Sequence, residues 1–273
     1  MTVPPRGRIP VVLSIAGSDS GGGAGIQADL KAFAASGVHG ATAITALTAQ
    51  NTVGVTGVHP VPPEFVLEQV RAVASDLGVD AVKIGMLGDA PVIAAVAQAL
   101  DQLPEGTPVV VDPVMVAESG ARLLPPDAEQ ALVELILPRA TVATPNVPEA
   151  RALTRSPDAA TAEELVRAVR RLGPGTVVLT GGHREEATDL VFDGDRITEV
   201  SGPRHEDGAA HGSGCTHSST LAARLALGDD VLDAARAAKA AASDAVRDGL
   251  RELGAGAGPV DVLGLRRGAA ALP

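Results

Sequence analysis

Short apolar runs rich in valine and isoleucine alternate along the chain with longer alanine- and leucine-rich segments of helical period. Residues 11–15 predict a buried strand and residues 26–36 the helix that follows, with Gly37 as its C-terminal cap. A second strand is expected over 43–47, and 53–61 reads as a short extra strand or hairpin arm. Pro62, Pro63 and Glu64 open a helix, since proline is tolerated in a first turn and a carboxylate suits its positive end. The alternation continues with a strand at 81–84, a helix at 91–100 and a strand at 108–111 that runs into Asp112. A helix over 127–137 and a short strand at 141–143 come next. Thr161 and Glu164 have capping-box spacing and start a helix towards Leu172. Residues 177–180 form a strand, 190–200 a hairpin turning at Asp193-Gly194-Asp195, and two alanine-rich helices at 215–227 and 231–250 complete the pattern. Residues 254–258 and the final Ala/Gly-rich stretch read as loose. Strands alternating with helices imply one α/β domain, a mostly parallel sheet covered on both faces.

Composition narrows the chemistry. A net charge of −11 over 273 residues argues against a nucleic-acid or anionic-membrane surface. With three Phe, no Trp and no Tyr there is no aromatic platform for stacking bases. The single cysteine, Cys215, excludes an internal disulfide and any multi-cysteine zinc site. Apolar stretches are short and interrupted, so no membrane span is read, and the first ten residues carry no export signal. The expected compartment is the cytoplasm.

Two glycine-rich turns stand out. Gly17-Ser18-Asp19-Ser20-Gly21-Gly22-Gly23-Ala24-Gly25 lies between the first strand and its helix, and five glycines in nine residues exceed what a tight turn needs. Gly23-x-Gly25-x-x-Ala28 fits a degenerate dinucleotide fingerprint, but no Asp or Glu occurs from 30 to 63 to hold a ribose. A P-loop is excluded, because none of the three lysines, Lys31, Lys83 and Lys239, follows a glycine. The second turn, His211-Gly212-Ser213-Gly214-Cys215-Thr216, precedes an alanine-rich helix. Small residues at a helix N-terminus expose N–H donors to one point, an anion hole suited to a transferring phosphoryl group. Cys215 sits where helix placement lowers a thiol's pKa and lets it accept a proton; a buried structural cysteine is the competing reading. His211, Cys215 and His217 are too close in sequence to converge on zinc.

Asp112-Pro113 ends a strand, and Thr144-Pro145-Asn146-Val147-Pro148-Glu149 follows another. Ligands in open α/β sheets bind beyond the carboxyl ends of strands, so Asp112, Asn146 and Glu149 can face one crevice and suit Mg²⁺ with its waters; turn and helix-start chemistry explains the same residues equally well. Thr48-Ala49-Gln50-Asn51 offers an amide able to pair with the edge of a heterocycle. No Gly-x-Ser-x-Gly elbow is present.

Together these blocks closely resemble the hydroxymethylpyrimidine/phosphomethylpyrimidine kinases. The resemblance rests on residues 16–30, Thr48-Ala49-Gln50-Asn51-Thr52, Lys83-Ile84-Gly85-Met86-Leu87, Asp112-Pro113-Val114-Met115-Val116, the Asn146/Glu149 block, Gly181-Gly182-His183 and the turn around Cys215, in the family's order. It implies a single-domain ribokinase-like fold over 10–260, an N-terminal extension over 1–9 and a C-terminal tail over 261–273. It further implies ATP and Mg²⁺ as cofactors, a homodimer, and two successive phosphorylations of a small pyrimidine of the thiamin pathway. The pyrimidine would lie near Gly17, Asp29, Gln50, Met86 and Val114. Asp112, Asn146, Thr180 and Gly182 would serve ATP and its phosphates, Glu149 would hold Mg²⁺ directly or through water, and Gly212, Ser213, Gly214 and Cys215 would form the catalytic anion hole. Ser213 replaces a commoner Thr, and Glu118 and Thr180 stand where the family often has Lys, which puts the second phosphorylation in question. A pyridoxal or pyridoxine kinase and a non-catalytic pyrimidine-binding protein are the alternatives.

Overall fold

The structure, a computed structural model, describes residues 8–115, 124–181, 187–206 and 208–266. Nine strands form one sheet in the order β3-β2-β1-β4-β5-β6-β7-β8-β9. They are β1 (Val11–Asp19), β2 (His39–Gln50), β3 (Val55–Pro60), β4 (Ala81–Ile84), β5 (Val109–Val111), β6 (Val142–Ala143), β7 (Thr176–Leu179), β8 (Thr188–Phe192) and β9 (Ile197–Ser201). The run from β2 to β7 is parallel, whereas β3, β8 and β9 join antiparallel at the two edges. The chain leaves β1 for β2 on one side and resumes with β4 on the other, so the strand order reverses at β1/β4, the place where such sheets open a crevice.

Side-chain alternation divides the core into two layers. Leu13, Val82, Val111 and Ala143 pack under α2 (Pro63–Asp76), α3 (Ala90–Leu100) and α4 (Pro126–Ala131). Val12, Ala81, Val110 and Val142 face Phe33 of α1 (Gly25–Ala35) together with α7 (Ser213–Ala226) and α8 (Val231–Arg247). A third cluster joins α5 (Val147–Thr154) and α6 (Ala162–Arg170) to β7 and β8. The Thr161/Glu164 capping box forms as expected, with Glu164 N–H donating to Thr161 Oγ1 at 3.2 Å and the Glu164 carboxylate accepting from Thr161 N at 2.8 Å.

Several elements differ from the sequence reading. β1 continues to Asp19 and β2 to Gln50, because antiparallel pairing of Ala46–Gln50 with β3 keeps an edge segment extended without an apolar run. The helix expected over 127–137 is α only to Ala131; Leu132–Ile136 is a π turn and Leu137–Arg139 a 3₁₀ turn at Pro138, whose ring cannot continue the ladder. The stretch 254–258, read as loose, is tied down: Gly256 N–H donates to Thr52 Oγ1 at 3.2 Å and Leu250 N–H to Pro259 O at 2.9 Å. Among the described residues no helix is long and apolar enough to cross a membrane.

Leu13, fully buried on the central strand, sits where neighbouring strands and helices leave no room to collapse. Leu13→Ala is expected to cost about 2–5 kcal/mol, read from the urea midpoint.

Candidate active site

Both faces of the parallel strands are covered by helices, so polar side chains gather at their carboxyl ends. There β1, β4, β5, β6, β7, the start of β8, the N-terminus of α7 and one face of α8 enclose a cavity of about 460 Å³. Gly17, Gln50, Met86, Val114, Asp112, Asn146, Glu149 and Thr180 all line it. Gly212, Ser213, Gly214 and Cys215 line it too: a β-carbon at Gly214 would stand 3.9 Å from Asp112 Oδ2, and Cys215 takes a hydrogen bond from Gly25 N–H. Twelve of the residues singled out in the sequence thus converge. Gly182, together with Glu118, lies outside the described residues.

Asp29 is the exception. It is fully buried on α1 and absent from the cavity lining. Its carboxylate is saturated by protein donors: Lys83 Nζ at 2.9 Å and Ser219 Oγ at 2.7 Å on Oδ1, and Ser14 Oγ at 2.6 Å on Oδ2. It therefore stands behind the site, not against a ligand.

The two glycine-rich turns are sewn together. Asp19 accepts from Gly21 N–H at 2.8 Å, Gly23 N–H at 3.0 Å and Ala24 N–H at 2.8 Å, and its Oδ2 lies 3.1 Å from His211 Nε2. Burial works to raise the Asp19 pKa, but the His211 and backbone hydrogen bonds outweigh it and hold the carboxyl below its ordinary value. Gly212 then packs so closely on Gly23 that a β-carbon at 212 would run into the Gly23 carbonyl oxygen, and its φ of 86° is in the left-handed region. Helix α7 starts there without a side-chain cap. Ser213 N–H donates to Ala210 O at 2.9 Å, whereas among the described residues no backbone acceptor is recorded for Gly214 N–H or Cys215 N–H. These are the donors left to face an anion.

The first two turns of α7 carry polar side chains into the interior. Ser218 Oγ donates to Asp112 Oδ2 at 2.9 Å, and His217 Nε2 lies 3.2 Å from Asp189 Oδ2. Burial raises the Asp112 pKa, with Lys83 and the Ser218 hydrogen bond opposing. Burial, with Asp112 nearby, pushes Glu149 up to about 8. Cys215 runs opposite to expectation: burial pushes its thiol up to about 12, and the charge of Lys83 and the Gly25 N–H offset this only in part. Placement at a helix N-terminus is thus outweighed by loss of solvent.

Asn146 and Glu149 also close a reciprocal capping box at the start of α5: Glu149 N–H donates to Asn146 Oδ1 and Asn146 N–H to Glu149 Oε2, each at 2.9 Å. Both thus serve the helix start while lining the cavity.

Sequence reading missed three participants. Lys83 lines the cavity floor yet is fully buried; a lone charge inside the apolar strand Ala81-Val82-Lys83-Ile84 was its signal. Asp189 and Lys239 form a pair at 2.7 Å in the wall near Thr180, so a cation stands in that wall although Thr180 supplies none. Asp189 is held below the ordinary carboxylate range, burial being outweighed by His217 and Lys239. Asp189 also accepts from Gly181 N–H at 2.8 Å and so fixes the strand end that carries Thr180.

A turn of open N–H donors, buried carboxylates and a buried cation in one cavity is equipment for moving an anionic group. The family model described as phosphomethylpyrimidine kinase matches residues 19–261. The chain belongs to the phosphomethylpyrimidine kinase family. A hydroxymethylpyrimidine/phosphomethylpyrimidine kinase of Rhizobium meliloti is 52% identical, the alignment covering 92% of this chain and 96% of that one. The thiamine biosynthesis bifunctional protein ThiED of Geobacter sulfurreducens is 46% identical over 94% of this chain and 52% of its own length. Among solved structures, the pyridoxal kinase from Staphylococcus aureus in complex with AMP-PCP and pyridoxal superposes with a TM-score of 0.86 at 31% identity, covering 96% of each chain. The fold is therefore ribokinase-like, as the sequence resemblance implied.

The elevated Glu149 of this family member has a sign that can be checked. Between about 4.5 and 8 the folded chain holds a proton that the unfolded chain has released, so stability falls as pH rises through that window and levels off above it. Urea unfolding across the range is expected to show this fall, and Glu149→Gln, which can keep the capping hydrogen bonds, is expected to flatten it.

Proposed function

We propose that the chain transfers the γ-phosphoryl group of ATP to the hydroxymethyl group of 4-amino-5-hydroxymethyl-2-methylpyrimidine, and then phosphorylates the monophosphate to the diphosphate, for thiamin biosynthesis. The observation that supports this reading is the convergence on one cavity of Gly17, Gln50, Met86 and Val114, of Asn146, Glu149 and Thr180, and of the Gly214–Cys215 turn, with Gly214 beside Asp112 and Cys215 hydrogen-bonded to Gly25. In this reading the first group takes the acceptor, the second the triphosphate, and the two meet at that turn.

Each role follows from chemistry. Gln50 presents an amide to the pyrimidine edge, and Thr48 Oγ1 lies 3.3 Å from its Oε1 to steady it. Met86 and Val114 supply apolar contact for the ring. Open N–H groups at the start of α7, backed by the positive end of that long buried helix, meet the charge spread over the transferring phosphoryl. Lys239 and Thr180, which also line the cavity, are assigned to the phosphates in this reading. Two carboxylates line one cavity, and burial together with the charge of Asp112 raises the proton affinity of Glu149; such a site leaves room for a divalent cation, and oxygen donors suit Mg²⁺, which keeps several waters. Glu149, with Asn146 beside it, would hold Mg²⁺ through oxygen or water, and the ion would neutralise phosphate charge. Cys215 receives the proton of the acceptor hydroxyl; it must first be a thiolate, which burial opposes and Lys83 favours.

Supply of ATP places the enzyme in the cytoplasm. The edge strand β3, with Val58 exposed on it, is an open sheet edge that a homodimer would cover.

The test is ADP release with Mg-ATP on hydroxymethylpyrimidine, its monophosphate and pyridoxal in parallel. Turnover on both pyrimidines is expected; turnover on pyridoxal alone would move the assignment to that acceptor, and none on any would end the kinase reading. Cys215→Ala is expected to lower kcat about 10²- to 10⁴-fold with pyrimidine binding nearly intact, and wild-type turnover in that variant would remove Cys215 from the mechanism.

A further inference from the structure

A fully buried lysine is expensive, and Lys83 has no solvent at all. Its ammonium is held at the cavity floor by Asp29 at 2.9 Å, and Asp29 is itself fixed by Ser14 and Ser219. Space is reserved for that head group: a β-carbon at Gly85 would stand 2.9 Å from Lys83 Nζ. Among the described residues Asp29 is the one hydrogen-bond acceptor recorded for Nζ, which carries three donors. The charge is thus anchored on one side and unspent on the other.

Helix α7 shows where the unspent side looks. Ser219, which grips Asp29, and Cys215 are four residues apart and share a helix face, Cys215 lying one turn nearer the cavity. Lys83 and Cys215 both line that cavity. The charged and titratable groups bearing on the thiol are Lys83 from β4, Asp29 from α1 and Asp112 beyond β5; the two carboxylates disfavour a thiolate and Lys83 is the cation that favours it.

We propose that Lys83 is a positioning residue for phosphoryl transfer: clamped by Asp29, its ammonium is the fixed counter-charge that makes a thiolate attainable at Cys215. The pair then does more than fill the core, and the inference rests on the reading of Cys215 as proton acceptor given above. The step balances simply: the thiolate takes the proton of the acceptor hydroxyl as its oxygen bonds to phosphorus, the bond from phosphorus to the ADP oxygen breaks, and Lys83 keeps its own protons throughout.

Cys215 is the chain's single cysteine, so alkylation by iodoacetamide reports on it alone. Rates are compared at about pH 8.5, where thiolate fraction sets the rate. Lys83→Met is expected to slow alkylation about tenfold, one unit of proton affinity, and to lower kcat about as much while leaving the acceptor KM within about twofold. Because that variant strands Asp29, the double variant Lys83→Met/Asp29→Asn is made alongside; the neutral amide it introduces keeps the two serine partners, and thermal unfolding verifies that it folds. Loss of Asp29 also removes a carboxylate that disfavours the thiolate, so the reference for the double variant is Asp29→Asn alone, which keeps the cation; relative to it the double variant is expected to alkylate about tenfold more slowly and to turn over more slowly. A folded double variant that alkylates and turns over like Asp29→Asn alone would reduce Lys83 to a structural role and overturn the proposal, as would a loss expressed in acceptor KM alone. Absence of any wild-type turnover would defeat the kinase reading instead and leave the alkylation comparison standing.

Discussion

Everything at the site hangs on the burial of helix α7. From Thr216 to Ala226 it is buried at every position but Arg224, yet its first half carries hydroxyls and an imidazole. Polar groups taken out of water need partners, and three of these meet a carboxylate from a different element: Ser218 donates to Asp112 beyond β5, Ser219 donates to Asp29 of α1, and His217 lies against Asp189 of β8 without a formed hydrogen bond. Three distant parts of the chain are thereby drawn to one helix end. The same demand collects negative charge around the start of α7, and the lysines Lys83 and Lys239 then become necessary as counter-charges. Structural satisfaction and catalytic electrostatics are the same set of bonds.

This arrangement explains why open backbone N–H donors remain at the start of α7. A side-chain cap at the start of α7 would have consumed the free N–H groups; Gly212 offers none, and its contact with Gly23 leaves no space for one. The turn is held instead from behind, by Asp19 on His211 and by Val260 N–H on the His211 carbonyl at 3.1 Å. The donors facing the cavity stay open while the turn is rigid, the combination that preorganised stabilisation of charge requires.

Much of this was legible in the sequence because it is local. Buried strands such as Ala81–Ile84 and Val109–Val111 announce themselves as apolar runs, and the glycine density of the two turns betrays close backbone approach. What was not legible is long-range or depends on burial. Asp29 looks like a ligand contact until Ser14, Lys83 and Ser219 are seen to exhaust it. The direction of the Cys215 shift needed the depth of the site, since helix placement alone predicts the reverse. The capping box at Asn146 and Glu149 was present in the letters but read only as an ordinary helix start, which hid that each holds the other in place across the first turn of α5. β2 outran its expected end because its partner strand, not its own apolar content, keeps it extended.

Asp19 and His211 are 192 positions apart, and Asp29 and Ser219 are 190 apart. Contacts of that span carry a loop-closure entropy that must be met before they reward the chain. During synthesis the Gly17–Gly25 turn emerges long before the His211–Gly212 turn that packs on it, so no nascent fragment ending short of α7 has that junction or the open N–H donors beside it. Such a fragment is left with Lys83 and Asp29 lacking the serine that orders them. Catalytic competence is therefore a late checkpoint on the integrity of the whole chain, and partial products of translation are inert by construction.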